Sequence, residues 1–144
     1  MVMGREEMLQ NVPIFSELGR RDLGRLAKLM VPRAVKGGEV IIKEGDQAAG
    51  FFVVSGGKLE AIRGEGSSEQ KLATYGPGDF FGEMALFEGF PRSATVRAIE
   101  DSECLAMTRW DFMAEMKNHP EIAVGMLPVL VRRLRDADSR AQAE

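Results

Sequence analysis

Glu83 and Arg92 are the residues whose types and spacing best suit ligand chemistry in this chain. Glu83 stands in Phe80-Phe81-Gly82-Glu83-Met84-Ala85-Leu86, behind the turn Tyr75-Gly76-Pro77-Gly78-Asp79, and Gly82 to Leu86 is long enough for one helical turn. A glycine at the start of such a turn lets a ligand approach the backbone closely and leaves amide N–H groups pointing outward. That suits a phosphate, and the Glu83 carboxylate beside it is an acceptor for a sugar hydroxyl. Arg92 supplies the cation. From there the even positions read Arg92, Ala94, Val96, Ala98 and the odd ones Ser93, Thr95, Arg97. The apolar even set belongs on the interior face of a strand, so Arg92 lies in phase with buried residues. A guanidinium in that position is rarely left without an anion. A phosphate in a charge-assisted, bidentate pair would satisfy it; so would Glu83 or a loop carbonyl. Pro91 fixes its own φ, biases Phe90 toward extended geometry, and stiffens the start of the strand.

The whole string decides more than the two charges do. Phe-Gly-Glu-Met-Ala, a short loop, then Pro-Arg-Ser-Ala-Thr-Val resembles the phosphate-binding cassette of the cyclic nucleotide-binding domain family, with the Glu-to-Arg distance kept and no insertion. The family includes catabolite activator-type regulators, protein kinase A regulatory subunits and cyclic nucleotide-gated channels. The resemblance implies that Glu83 accepts hydrogen bonds from the ribose 2′-hydroxyl and that Arg92 pairs with the cyclic phosphate. It also implies backbone contacts from Gly82, Met84, Ala85 and Ala94, and a hydroxyl contact from Ser93. The implied ligand is cAMP in preference to cGMP. Where this family prefers cAMP the residue after the Arg is often Ala, and in cGMP-dependent kinases it is Thr; Ser93 is shared with cAMP-binding activators. The last helix carries no Ser or Thr between Pro120 and Asp138, so it departs from activators that offer hydroxyls to the adenine there.

The elements that must position these residues follow from pattern. Residues 5–11 and about 20–30 read as helices, broken by Asn11-Val12-Pro13 and an apolar anchor, Ile14-Phe15. Leu23, Leu26, Ala27 and Met30 share one face of the second, with Gly19 as its N-cap and Asp22 in its first turn. Short strands are expected at 33–36, 39–43, 51–55, 58–63, 70–75, 80–81, 94–99 and 102–107, separated by Gly-, Pro- and Asp-rich breaks. The fold class is therefore mainly β with flanking helices, and the family's eight-stranded antiparallel jelly-roll barrel fits the spacing. Thr108 followed three residues on by Asp111 opens a helix with a capping-box-like start. A last helix runs from Pro120 to about Ala141. The expected domain spans 1–144: helices in 1–31, the roll in 32–107 with the cassette at 80–96, and two helices in 108–144.

Within the last helix, Ala123, Leu127, Leu130, Leu134 and Ala137 have heptad spacing, suited to a two-fold homodimer. Ile122, Met126 and Val129 form a second stripe, and Ile122 and Met126 are candidates for a lid over a bound ligand. Gly125 and Pro128 weaken the helix between them and predict a kink or hinge.

Composition bounds the rest. With 144 residues, 44% hydrophobic and 28% charged, the chain suits one globular domain, and its net charge of −3 argues against a nucleic-acid surface. One cysteine, Cys104, excludes an internal disulfide and fits a cytoplasmic protein. The residues from Met1 to Glu7 form no signal-peptide core, and no stretch is long and apolar enough to span a membrane. One His and one Cys exclude a zinc cluster, and no nucleophile elbow, Walker loop or paired-carboxylate signature appears, so no metal and no enzyme is expected. The expectation is a sensor without a DNA-binding module or other attached output, reporting to an unidentified effector protein. The alternative is a degenerate relative that binds another anion or nothing and serves as a dimerisation or protein-interaction unit.

Overall fold

Strand alternation and glycine turns build the roll, as a computed structural model shows for residues 4–143, with the side chains of 142 and 143 left undescribed. The sequence-based bounds at residues 1–3 and 144 lie outside the described residues. Eight strands form: β1 (Val31–Val35), β2 (Val40–Ile42), β3 (Gly50–Gly56), β4 (Leu59–Arg63), β5 (Gln70–Tyr75), β6 (Phe80–Phe81), β7 (Thr95–Ala98) and β8 (Ser102–Thr108). They make two four-stranded antiparallel sheets, ordered β1-β8-β3-β6 and β2-β7-β4-β5. This is the expected jelly roll. Val35, Ile42, Phe52, Leu59, Phe81, Val96 and Cys104 belong to its buried core cluster. The start of β1 differs from expectation by two residues, because Pro32 lies inside the strand opposite Leu105. β1 is an edge strand, and an edge tolerates a residue that cannot donate to a ladder.

The chain divides into two compact units, one holding residues 29–113 and the other residues 4–28 with 114–143. Four α-helices are described: α1 (Arg5–Gln10), α2 (Arg20–Ala27), α3 (Arg109–Asn118) and α4 (Glu121–Ala143). A 3₁₀ turn at Pro13–Phe15 buries Ile14 and Phe15, the predicted anchor. Leu23, Leu26, Ala27 and Met30 are all buried. Thr108 caps α3 as expected, its hydroxyl oxygen accepting the Asp111 N–H at 3.1 Å.

In the helical unit α4 packs along Pro13–Phe15, and Ile122, Met126 and Val129 are buried. An ion pair joins Arg132 to Glu17, and Arg25 reaches both Asp22 at 2.9 Å and Glu121 at 3.0 Å. The helix runs on through Pro128 as one element. The heptad seam differs from expectation: the large apolar residues left open are Val124, Leu127, Val131 and Leu134, each between 53% and 64% exposed. Ala123 and Leu130 are only half-exposed.

Candidate functional site

Gly82 is the pivot of the cassette. β6 pairs Phe81 with Phe52 and Phe80 with Val53, and the chain then turns into a 3₁₀ helix at Glu83–Leu86. Gly82 makes that turn at φ +80°, in the left-handed region that side chains disfavour. A Cβ there would lie 2.7 Å from Arg92 Nη1 and 3.2 Å from the Gly50 carbonyl oxygen. Conformation thus favours glycine, and a Cβ would in addition displace the end of the Arg92 side chain. The first bond of the short helix runs from the Ala85 N–H to the Gly82 carbonyl at 3.0 Å. The N–H groups of Glu83 and Met84 precede it and are the ones such a turn leaves for an external acceptor. Ala85 and Leu86 are buried and anchor the turn, while the Met84 side chain is exposed.

Arg92 enters on a backbone fixed from both sides: its N–H donates to the Asp46 carbonyl at 2.7 Å, and its own carbonyl accepts from the Gly45 N–H at 2.8 Å. Its side chain is half-buried, and burial pushes its pKa below the usual arginine value. Of the two intramolecular partners that the sequence left open, the carbonyl is the one used: Arg92 Nη2 donates to the Gly50 carbonyl at 2.7 Å. Among the described residues no carboxylate lies within ion-pair distance of it. The guanidinium thus carries a full charge, half removed from water, against a neutral acceptor.

Gly82, Arg92, Ser93 and Ala94 meet at one cavity of about 130 Å³, whose other walls are Ile42, Ala61, Tyr75, Phe81 and Val96. Four of the residues singled out by pattern are therefore brought together by the end of β6 and the segment that leads into β7. Two further contacts hold the cassette. Arg63 Nε donates to the Ser93 carbonyl at 3.1 Å, and the Glu44 N–H donates to Thr95 Oγ1 at 2.9 Å. Glu83, Met84 and Ala85 belong to the turn but do not line the cavity. The described residues hold no group of three or more His, Cys, Asp or Glu side chains placed to bind a metal.

The family profile for the cyclic nucleotide-binding domain matches residues 32–119, a span holding both the roll and the cassette. The chain belongs to the cyclic nucleotide-binding domain family. It is 34% identical over 131 residues to the cyclic AMP receptor protein of Thermus thermophilus, covering 90% of this chain and 61% of that one. It is 32% identical over 111 residues to a cAMP-dependent protein kinase regulatory subunit of Dictyostelium discoideum, covering 74% of this chain and 34% of that one. The chain thus spans less than two thirds of either relative. Among solved structures, the N-terminal domain of a transcriptional regulator from Streptomyces coelicolor A3(2) superposes with a TM-score of 0.86 at 30% identity, covering 93% of this chain and 94% of that one.

In this cyclic nucleotide-binding domain the sequence pattern marked none of Ile42, Ala61 and Tyr75 as walls of the cavity. Tyr75, at the end of β5, packs on Phe81 with ring centroids 5.0 Å apart and the rings tilted by 32°. Its phenol is pushed up in pKa, first by burial and then by the negative charges of Glu83 and Asp79. Tyr75 is the chain's single tyrosine and directly precedes the Gly76-Pro77 turn; that adjacency was the only signal available. The lid candidates Ile122 and Met126 lie in the helical unit, both buried, and beside them Leu18 comes within 2.7 Å of where a Gly125 Cβ would sit.

Proposed function

We propose that this domain is a cyclic nucleotide sensor that binds cAMP in preference to cGMP and signals by changing its helical unit. The observation that carries the reading is Arg92: a half-buried guanidinium with no carboxylate partner among the described residues, lining one cavity with Gly82, Ser93 and Ala94. In this reading Arg92 pairs with the cyclic phosphate, Glu83 accepts from the ribose 2′-hydroxyl, and Ser93 adds its hydroxyl. Gly82, Met84, Ala85 and Ala94 contribute backbone contacts. The two relatives named for cyclic AMP support the choice of nucleotide. The role is binding, not catalysis, and the recipient is an effector protein in the cytoplasm.

Ile122 and Met126 close over the nucleotide in this proposal, which requires that they first leave their buried positions. Exposing two such side chains costs roughly 3–6 kcal/mol at about 1.5–3 each. A ligand can supply that only through its differential affinity for the two arrangements, here about a hundredfold or more. Calorimetric titration with cAMP and cGMP in competition tests the reading. Heat from cAMP binding at one site per chain is expected, and clearly tighter cGMP binding overturns the preference.

A second role, self-association, is favoured by α4. Its open residues Val124, Leu127, Val131 and Leu134 alternate a β-branched residue with leucine at heptad positions. Val at a with Leu at d is the pattern of a parallel two-stranded coiled coil. The proposed homodimer therefore uses this stripe in place of Ala123 and Leu130. Were neither nucleotide to bind, the same stripe would favour the interaction-module alternative.

A further inference from the structure

A second cavity, of about 280 Å³, shares only Ile42 and Arg92 with the first. It is lined from β1, β2, β3, β8 and the segment between β2 and β3, and it meets the proposed nucleotide site at Arg92 and Ile42. Its charged lining is Arg33, Lys43 and Arg92 against one carboxylate, Asp46. Its apolar lining includes Ile41, Phe52 and Met107, all buried. The Arg33 guanidinium lies 6.0 Å from the centre of the Phe52 ring, which holds that cation over the apolar surface.

These features select a ligand class. Arg33 and Lys43 are exposed, so their charges are well hydrated and attract an anion weakly. Arg92 is half-buried and lacks an anionic partner, so an anion reaching it gains more. Its planar fork suits a carboxylate. An inorganic ion would leave the apolar surface uncovered, and a neutral aromatic would leave the cations unpaired. Size agrees, since a cavity of about 150 Å³ holds a benzene ring.

We propose that this cavity is a second anion site, taking a small aryl carboxylate, and that its occupant competes with nucleotide for Arg92. The site itself follows from the cavity, and the competition rests on the nucleotide-sensor reading. One guanidinium does not serve two anions at full strength, so each ligand weakens the other by the same factor. The second cavity then acts as an antagonist site, tuning the sensor to a metabolite acid.

The probe is 4-fluorobenzoate, followed by fluorine NMR on the full chain, with 4-fluorobenzamide and inorganic phosphate as comparisons. Benzoate in excess over protein is expected to broaden, with little response from the amide and weaker competition from phosphate. The variant pair Arg33→Ala with Lys43→Ala, on exposed side chains, is expected to weaken benzoate by about tenfold and leave cAMP affinity within about twofold of wild type. Saturating cAMP is expected to release benzoate. Benzoate at ten times its own dissociation constant is expected to raise the apparent Kd for cAMP about tenfold. Absence of benzoate binding, equal binding of the amide, or a response untouched by the double variant overturns the site. Benzoate and cAMP bound together at unchanged affinities overturns the competition. If cAMP does not bind wild type at all, the sensor reading fails, and the benzoate response of the double variant and of Arg92→Ala decides the cavity alone.

Discussion

Replacing Gly82 with alanine separates backbone strain from the loss of a guanidinium's place. Gly82 sits at φ +80° with Arg92 Nη1 2.7 Å and the Gly50 carbonyl 3.2 Å from its missing Cβ. Gly38 sits at φ +88° with nothing within 4 Å, so it carries the strain without the contact. Left-handed backbone costs a non-glycine residue about 1–2 kcal/mol, and Gly38→Ala should lose that much and bind nucleotide as wild type does. Gly82→Ala must in addition push the guanidinium off the Gly50 carbonyl, now a 2.7 Å bond. A hydrogen bond from a charged group contributes about 1.5–3 kcal/mol, so Gly82→Ala should exceed its control by up to that amount. The displaced Arg92 should then bind cAMP about tenfold more weakly, or about 1.4 kcal/mol. Urea unfolding and calorimetry on both variants supply the numbers. Equal stability losses together with wild-type affinity in Gly82→Ala would refute the placement of Arg92 against Gly82.

Arg92→Ala should weaken cAMP by some tens-fold to thousands-fold, because losing one side of a desolvated charge pair costs roughly 2–5 kcal/mol; calorimetry on protein shown to be folded by circular dichroism checks it. Leu127→Asp with Leu134→Asp should convert a dimer to a monomer by light scattering without unfolding it, since both side chains are exposed. Cys104 is fully buried, and burial pushes its thiol up to about 11 from 9.0. The unfolded thiol ionises first, so the stability from the neutral buried form is intact below pH 9 and falls as pH rises toward 11. The loss should reach about 2–3 kcal/mol, and Cys104→Ala should flatten that part of the urea-midpoint profile.

Much of the roll was legible because its signals are local. Alternation in Thr95–Ala98 and the Gly-Pro-Gly turn before Phe80 depend on neighbours in the chain, and both appear where expected. Arg92 was legible for the same reason: its phase with Ala94 and Val96 put it at the buried face. What stayed hidden depends on neighbours distant in the chain. Which carbonyl takes the Arg92 guanidinium is set by β3 bringing Gly50 beside the cassette. Tyr75 joins the site only because β5 ends next to Phe81. The bond from Arg63 at the end of β4 to the Ser93 carbonyl ahead of β7 left no trace in spacing. On α4, heptad counting picked Ala123 and Leu130 beside Leu127 and Leu134, and only the packing along Pro13–Phe15 showed that Val124 and Val131 are the open residues in their place.

The pairing of β1 with β8 brings Val31–Val35 against residues 102–106, the two ends of the roll in sequence. β3 also needs β8, whose Leu105 and Ala106 lie between Val53 and Phe52 on one side and Val31 and Pro32 on the other. A sheet whose central strand comes last cannot assemble in the order of synthesis. Until residue 108 has left the ribosome, β1 and β3 both present unpaired backbone, and the closure entropy must be met before the contacts that offset it form. Growth of the nascent chain therefore passes through a stage with open strand edges that invite other chains, and folding should be slow for a domain of this size.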